Sequence, residues 1–226
     1  MSDLSIHPLT PDRWDDLVDL FQSDSMTRNC WCMAMRLSGA ELREFKAPEV
    51  RRKMFASLVK QSPPGLLAYE GEKPVGWIAV APRNMTPEWN KGRKSSAVES
   101  EADAPDPACW GASCFFVRTG HRKAGVTAEL LDAGIAYAKK NGASRLEACP
   151  MSHDDRRSNV GMCVGPLRVF ERAGFEKVLE RKAGRPLMRL ALKTTAVKTT
   201  GKKKPAPAKK PAPKAKTQSR LRKMAR

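Results

Sequence analysis

No apolar run in this 226-residue sequence is long and unbroken enough to span a bilayer, which excludes a helical membrane protein and leaves no membrane partner expected. The opening Met1-Ser2-Asp3-Leu4 lacks a basic stretch followed by an apolar one, so no secretory signal is expected. Without such a signal, six cysteines predict reduced thiols in the cytoplasm rather than a disulfide framework. Tyrosine is scarce: Tyr69 and Tyr137 are the only phenols, and both are expected to pack rather than to donate protons. A second closely spaced ligand pair is missing beside Cys30-Trp31-Cys32, so a metal site completed by Cys149 or Cys163 is not expected. Acidic residues are absent from Lys193 to Arg226, a segment holding thirteen Lys and Arg.

That last absence divides the chain. Removing the segment takes the formal charge from +18 to +5, so residues 1–192 form an ordinary body able to bury one sizeable core. Residues 193–226, with a Lys/Pro/Ala tract from Lys202 to Lys216, have too little large apolar side chain to build one. The tail is expected to be disordered and extended. Either it contacts DNA or RNA non-specifically, with about 0.9 log units of salt slope per phosphate neutralised, or it serves only as a solubilising extension. The first reading adds nucleoid association to the cytoplasmic expectation.

The body is organised around Trp110 to Gly142. An apolar run, Cys114-Phe115-Phe116-Val117, stops at the basic turn Arg118-Thr119-Gly120-His121-Arg122-Lys123-Ala124-Gly125. Behind it Val126, Leu130, Leu131, Ile135 and Ala138 fall on one helical face, opposite Glu129, Asp132, Lys139 and Lys140. Asn141-Gly142 supplies a left-handed stop. A glycine-containing basic turn that opens a helix presents backbone N–H groups and roughly half a positive charge, which suits a diphosphate.

Spacing separates three kinds of phosphate loop. Gly120 to Gly125 nearly matches the nucleotide triphosphatase pattern, but Val126 stands where the phosphate-reaching lysine belongs. The dinucleotide fingerprint needs glycines closer together than Gly120 and Gly125. Arg122-Lys123-Ala124-Gly125-Val126-Thr127 resembles instead the acetyl-CoA loop [QR]-x-x-G-x-[GA] of the GNAT superfamily of N-acetyltransferases, with Thr127 at the usual glycine or alanine. Val169-Phe170-Glu171-Arg172-Ala173-Gly174-Phe175 is similar to the short GNAT helix that ends in a glycine-phenylalanine pair.

The resemblance covers residues 4–192 and implies an α/β (α+β) fold, a central mixed twisted sheet flanked by helices. The remaining patterns agree. Strands are expected at 4–9, 66–69, 75–80 and 145–149, with a final antiparallel pair at 175–180 and 186–192. Helices are expected from the cap Thr10-Pro11 and from the capping-box spacing Ser38 to Glu41, the latter reopened by Pro48. Residues 81–108 show no periodicity and read as either a cover over the acceptor site or a loose insertion.

The resemblance also implies an activity: transfer of an acetyl group from acetyl-CoA, as cosubstrate, to a primary amine by direct attack in a ternary complex. Phe115, Phe116 and Val117 are implicated in holding the pantetheine and thioester. Arg122, Lys123, Ala124, Gly125, Val126 and Thr127 would hold the phosphates. The usual family proton donor is a tyrosine at the position of Phe170, and phenylalanine cannot donate. Glu147, His153 and Asp154 are the alternatives for a base. Trp31, Met33 and Arg36 are expected on the acceptor side. The missing tyrosine and the basic tail leave open a catalytically weak protein that binds nucleic acid. Acceptor identity and oligomeric state are not readable.

Overall fold

The computed structural model describes residues 4–88, 106–152 and 163–192. Its frame is one seven-stranded sheet in the order β1-β2-β3-β4-β5-β7-β6. The strands are β1 (Leu4–Pro8), β2 (Gly65–Glu70), β3 (Lys73–Pro82), β4 (Cys109–Val117), β5 (Arg145–Ala148), β6 (Glu176–Lys182) and β7 (Arg185–Ala191). All neighbours pair antiparallel except β4 and β5, which are parallel. The sheet is therefore mixed, as the resemblance implies.

Alternation along the central strands builds two cores, one on each face. Leu66, Ala68, Ile78, Val80 and Phe115 face α5 (Val126–Lys140) and α6 (Leu167–Arg172). Leu67, Tyr69, Trp77, Ala79 and Phe116 face α1 (Trp14–Gln22) and α4 (Pro48–Val59). Both faces are covered, so β2 and β3 are almost continuously buried, as their apolar runs require. Trp77 is fully buried, with Phe21 and Phe55 meeting it edge-on at 6.0 and 6.1 Å. Truncating such an aromatic to alanine costs about 3–5 kcal/mol.

Two glycines let α5 lie close on β3. A Cβ on Gly76 would stand 2.9 Å from both Leu130 Cδ1 and Val126 Cγ1, and one on Gly134 would stand 3.0 Å from Ile78 Cδ1. The helix thus seats its first turn directly over the sheet. Its buried positions are Val126, Leu130, Leu131, Gly134 and Ala138, with Ile135 half-buried at the edge of the expected face. Gly142, at φ +86°, turns the chain away, and the Ala143 amide donates back to the Ala138 carbonyl at 3.0 Å.

The local signals differ in detail from their outcome. Ser38 and Glu41 do form a reciprocal capping box at the start of α3 (Gly39–Glu44). Thr10 does not cap with its side chain: its hydroxyl accepts from the Arg13 guanidinium, and Pro11–Arg13 forms a 3₁₀ turn ahead of α1. The helix α2 (Ser25–Cys30) has no counterpart among the expected elements; Asp24 caps it by accepting from the Met26 amide at 2.8 Å. β4 begins five residues before the apolar run. Of the stretch without periodicity, Ala81 and Pro82 finish β3 and Arg83–Met85 forms a 3₁₀ turn, while residues 89–105 lie outside the described residues. The tail from Lys193 lies outside them too. Among the described residues no helix is long and apolar enough to cross a membrane.

Candidate active site

β4 has two unlike halves. Cys109 to Ala112 pairs with β3 on one side and with Arg145 to Ala148 of β5 on the other. At Ser113 an extra residue interrupts the β3 ladder, since Ala79 faces Cys114 while Val80 faces Ala112. Beyond it Cys114 to Val117 keeps its β3 partners but has no partner on β5. The main chain of Phe115, Phe116 and Val117 is therefore an edge beside a parting of two strands. Such an edge can hydrogen bond an extended ligand as a strand would.

The turn beyond Val117 has the backbone needed to hold an anion. Gly120, Lys123 and Gly125 all adopt left-handed conformations, with φ +94°, +67° and +89°. No atom lies within 4 Å of where a Cβ would sit on Gly120 or Gly125, so the ground above both is open. Gly125 leads into the fifteen residues of α5, and no side chain caps that helix. Arg122, Lys123 and Ala124 are exposed, Thr127 is half-buried in the first turn, and Val126 is packed beneath. The Arg122 Nε donates to the Val117 carbonyl at 3.1 Å, and its guanidinium stands 3.8 Å from Asp24. Uncapped N–H groups, positive φ and two cations make a cradle that suits a diphosphate.

Other expected site residues are placed differently. Glu147 is fully buried and engages Arg83 through one oxygen and Arg189 through the other, the latter from Nε at 2.8 Å. Both oxygens serve structural ion pairs, which corrects its reading as a base. Trp31 and Met33 are placed in the core, Trp31 stacked on Trp14 at 6.0 Å and Met33 without exposure. His153 and Asp154 lie outside the described residues. Phe170 is fully buried, edge-on to Phe115 at 5.9 Å and to Phe175 at 5.2 Å. Tyr69 packs as expected and donates its hydroxyl to Asp16 at 2.7 Å, burial and that contact raising its pKa.

Arg36 keeps a place near β4, in company the sequence does not suggest. It is buried, donates to the Met85 carbonyl at 2.5 Å, and leaves Nε without a partner. Around it lie thiols from separate segments, Cys30 and Cys32 at the end of α2 and Cys114 of β4. The Trp77 indole N–H donates to Cys32 Sγ at 3.2 Å. Cys114, Arg36 and Trp77 together hold the Cys32 thiol below its ordinary pKa against its burial. Cys114, whose Sγ donates to the Phe115 carbonyl at 3.9 Å, is held well above, chiefly by Cys163 and Cys32 beside it. Trp31 and Cys32 take consecutive left-handed conformations, φ +46° and +51°, which cost on the order of 1–3 kcal/mol each for non-glycine residues. C-x-C spacing is the one visible hint of this cluster.

A sheet that parts beside its central strand, with a basic cradle at the following helix, defines an α/β protein suited to a long phosphorylated ligand. The Acetyltransferase (GNAT) family profile matches residues 14–175, and the chain belongs to that family. No curated protein matches it by sequence. Solved structures similar to it include the PaiA N-acetyltransferase of Thermoplasma acidophilum in complex with coenzyme A, at 14% identity and TM-score 0.46, covering 84% of this chain and 99% of that one. An acetyltransferase of Thermus thermophilus has 17% identity and TM-score 0.48 over 84% and 97% of the two chains. The GNAT domain of S. lividans PAT has 18% identity and TM-score 0.46 over 83% and 89%.

Proposed function

We propose that the chain transfers an acetyl group from acetyl-CoA to a primary amine by direct attack in a ternary complex. The observation that carries this is the β4-to-α5 turn, with its three left-handed residues at an uncapped helix N-terminus. In this reading the amides from Arg122 to Thr127, with the Arg122 and Lys123 side chains, hold the diphosphate of the cosubstrate. The free edge at Phe115, Phe116 and Val117 takes the pantetheine arm and turns backbone donors toward the thioester oxygen. The neutral amine attacks the carbonyl carbon, a C–N bond forms, and the C–S bond breaks to release the thiolate. Holding amine and thioester together supplies much of the acceleration by itself.

Proton movement distinguishes this chain. Phe170 has no hydroxyl and Glu147 is committed to two arginines, so in this reading the thiolate takes its proton from the amine, from water or from a side chain such as His153 outside the described residues. Positioned acid catalysis contributes about 10² to 10⁴ in rate, and a modest turnover is the consequence. The test is a screen of amino acids, polyamines, aminoglycosides and lysine peptides against acetyl-CoA, following release of free thiol. A saturable acceptor supports the reading; hydrolysis alone, with no acetylated product for any amine, contradicts it.

A further inference from the structure

Two arginines are buried among the described residues, and they are treated differently by the fold. Arg83, without exposure, has the Glu147 carboxylate as its counter-ion. Arg36 is 4% exposed, and among the described residues no carboxylate forms an ion pair with it. Its Nη1 donates to the Met85 carbonyl at 2.5 Å, its guanidinium stands 5.8 Å above the centre of the Phe55 ring, and its Nε has no partner. Glu41, a buried carboxylate five residues along, accepts instead from the Ser38 amide at 2.9 Å. One carbonyl and one aromatic face offset only part of the cost of taking a guanidinium out of water; an anion beside it supplies the rest.

Arg36 lies on the sheet face opposite the cradle. The first turns of α5 pack with Ile78 and Phe115 on one face. On the other, Phe55 beneath Arg36 meets Trp77 edge-on at 6.1 Å, and Met85 and Cys114 pack against that same core beside Phe116. Cys114 opens the half of β4 that has no partner on β5. A cosubstrate held at α5 and an anion held at Arg36 therefore approach the parted strands from opposite faces. The segment bearing Arg36 is fixed in advance, since the amides of Arg36 and Leu37 both donate to the Met33 carbonyl at 2.9 Å and Met33 is fully buried.

We propose that Arg36 receives the carboxylate of the acceptor, so that the amine this protein acetylates belongs to a small molecule that also bears a carboxylate. The inference rests on the acetyl-transfer reading and names the substrate class of that site. Met85 occupies the Nη1 side of the guanidinium, which leaves the edge bearing Nε for the ligand. A carboxylate takes two parallel N–H bonds from such an edge, a planar contact that a lysine does not reproduce. Its charge also neutralises the buried arginine that lacks an acid. Anchored by its carboxylate at a rigid point, the acceptor presents its amine in a fixed direction toward the free edge of β4, where the thioester is held.

The experiment titrates amino acids, dipeptides and their C-terminal carboxamides into the full chain saturated with coenzyme A, followed by calorimetry, and repeats the series with Arg36→Met and Arg36→Lys. At least one carboxylate-bearing amine is expected to bind the wild type, with its carboxamide about 30-fold or more weaker. Arg36→Met should lose that discrimination and Arg36→Lys should recover little of it. Equal binding of acid and carboxamide, no binding of any acid, or discrimination that survives in Arg36→Met would overturn the proposal. The comparison of acid with carboxamide is made on the wild type, so it stands even where a variant does not fold. A protein that binds acids through Arg36 yet acetylates none fails only the functional reading; one that acetylates carboxylate-free amines as readily as acids fails only this inference.

Discussion

Arg83 and Glu147 form an ion pair in which neither side chain is exposed to solvent. The pair joins the turn after β3 to β5, and Arg189 of β7 adds a second guanidinium to the same carboxylate. The three residues fasten together strands that sit on either side of β4.

Removing the carboxylate strands a buried charge. Glu147→Ala is expected to destabilise the protein by about 3–5 kcal/mol, read as a lower midpoint in urea unfolding. Acetyl turnover per folded molecule should hold within a few-fold, because the carboxylate abstracts no proton. A hundredfold loss in a variant that still unfolds near the wild-type midpoint would restore Glu147 as a base.

What the sequence discloses and what it hides follow from the range of the forces involved. The basic turn, the α5 face and the Ser38–Glu41 box are local, and spacing alone reveals them. The short α2 escapes because six residues carry little periodicity, and its signal is the single cap Asp24. Glu147 looks like a cleft carboxylate because its partners Arg83 and Arg189 lie 64 and 42 residues away. The surroundings of Arg36 are hidden for the same reason: the Met85 carbonyl it meets lies 49 residues away, and Trp77, which meets Cys32, lies 45 away from that thiol.

Gly76 links packing to ligand binding. A branched side chain there would meet Val126 and Leu130 in the first turns of α5. Gly76→Val is expected to cost about 1–3 kcal/mol of stability and to weaken acetyl-CoA binding by displacing the cradle. Calorimetry on the folded variant checks this, and an unaltered affinity would show that the first turn of α5 does not hold the ligand.

Cys109 gives the molecule an alkaline signature. Burial, and next the charge of Glu147, push its thiol up to about 11 from an ordinary value of 9.0. A raised folded-state pKa means that stability is fully present below pH 9, where the unfolded thiol is still protonated. It is lost as pH climbs from about 9 to 11, where the unfolded state ionises and the folded state resists. Melting curves of Cys109→Ala should fall less steeply than the wild type across that window. Parallel curves would mean that Cys109 does not contribute.

The segment from Lys193 to Arg226, with thirteen cations and no acid, makes a separate prediction. Truncation after Leu192 should abolish duplex DNA binding whose log affinity falls linearly with log salt. It should leave the acetyl-CoA melting shift intact. DNA binding that survives truncation would locate the contact in the body.

Acetyl-CoA titration monitored by melting temperature tests the central claim most directly. The wild type should be stabilised saturably. Gly125→Glu, which places a carboxylate at the mouth of α5, and Arg122→Glu should lose that shift while keeping a cooperative unfolding transition. A full shift in Gly125→Glu, or no shift in the wild type at saturating acetyl-CoA, would contradict the assignment of the β4-to-α5 turn as the cosubstrate cradle.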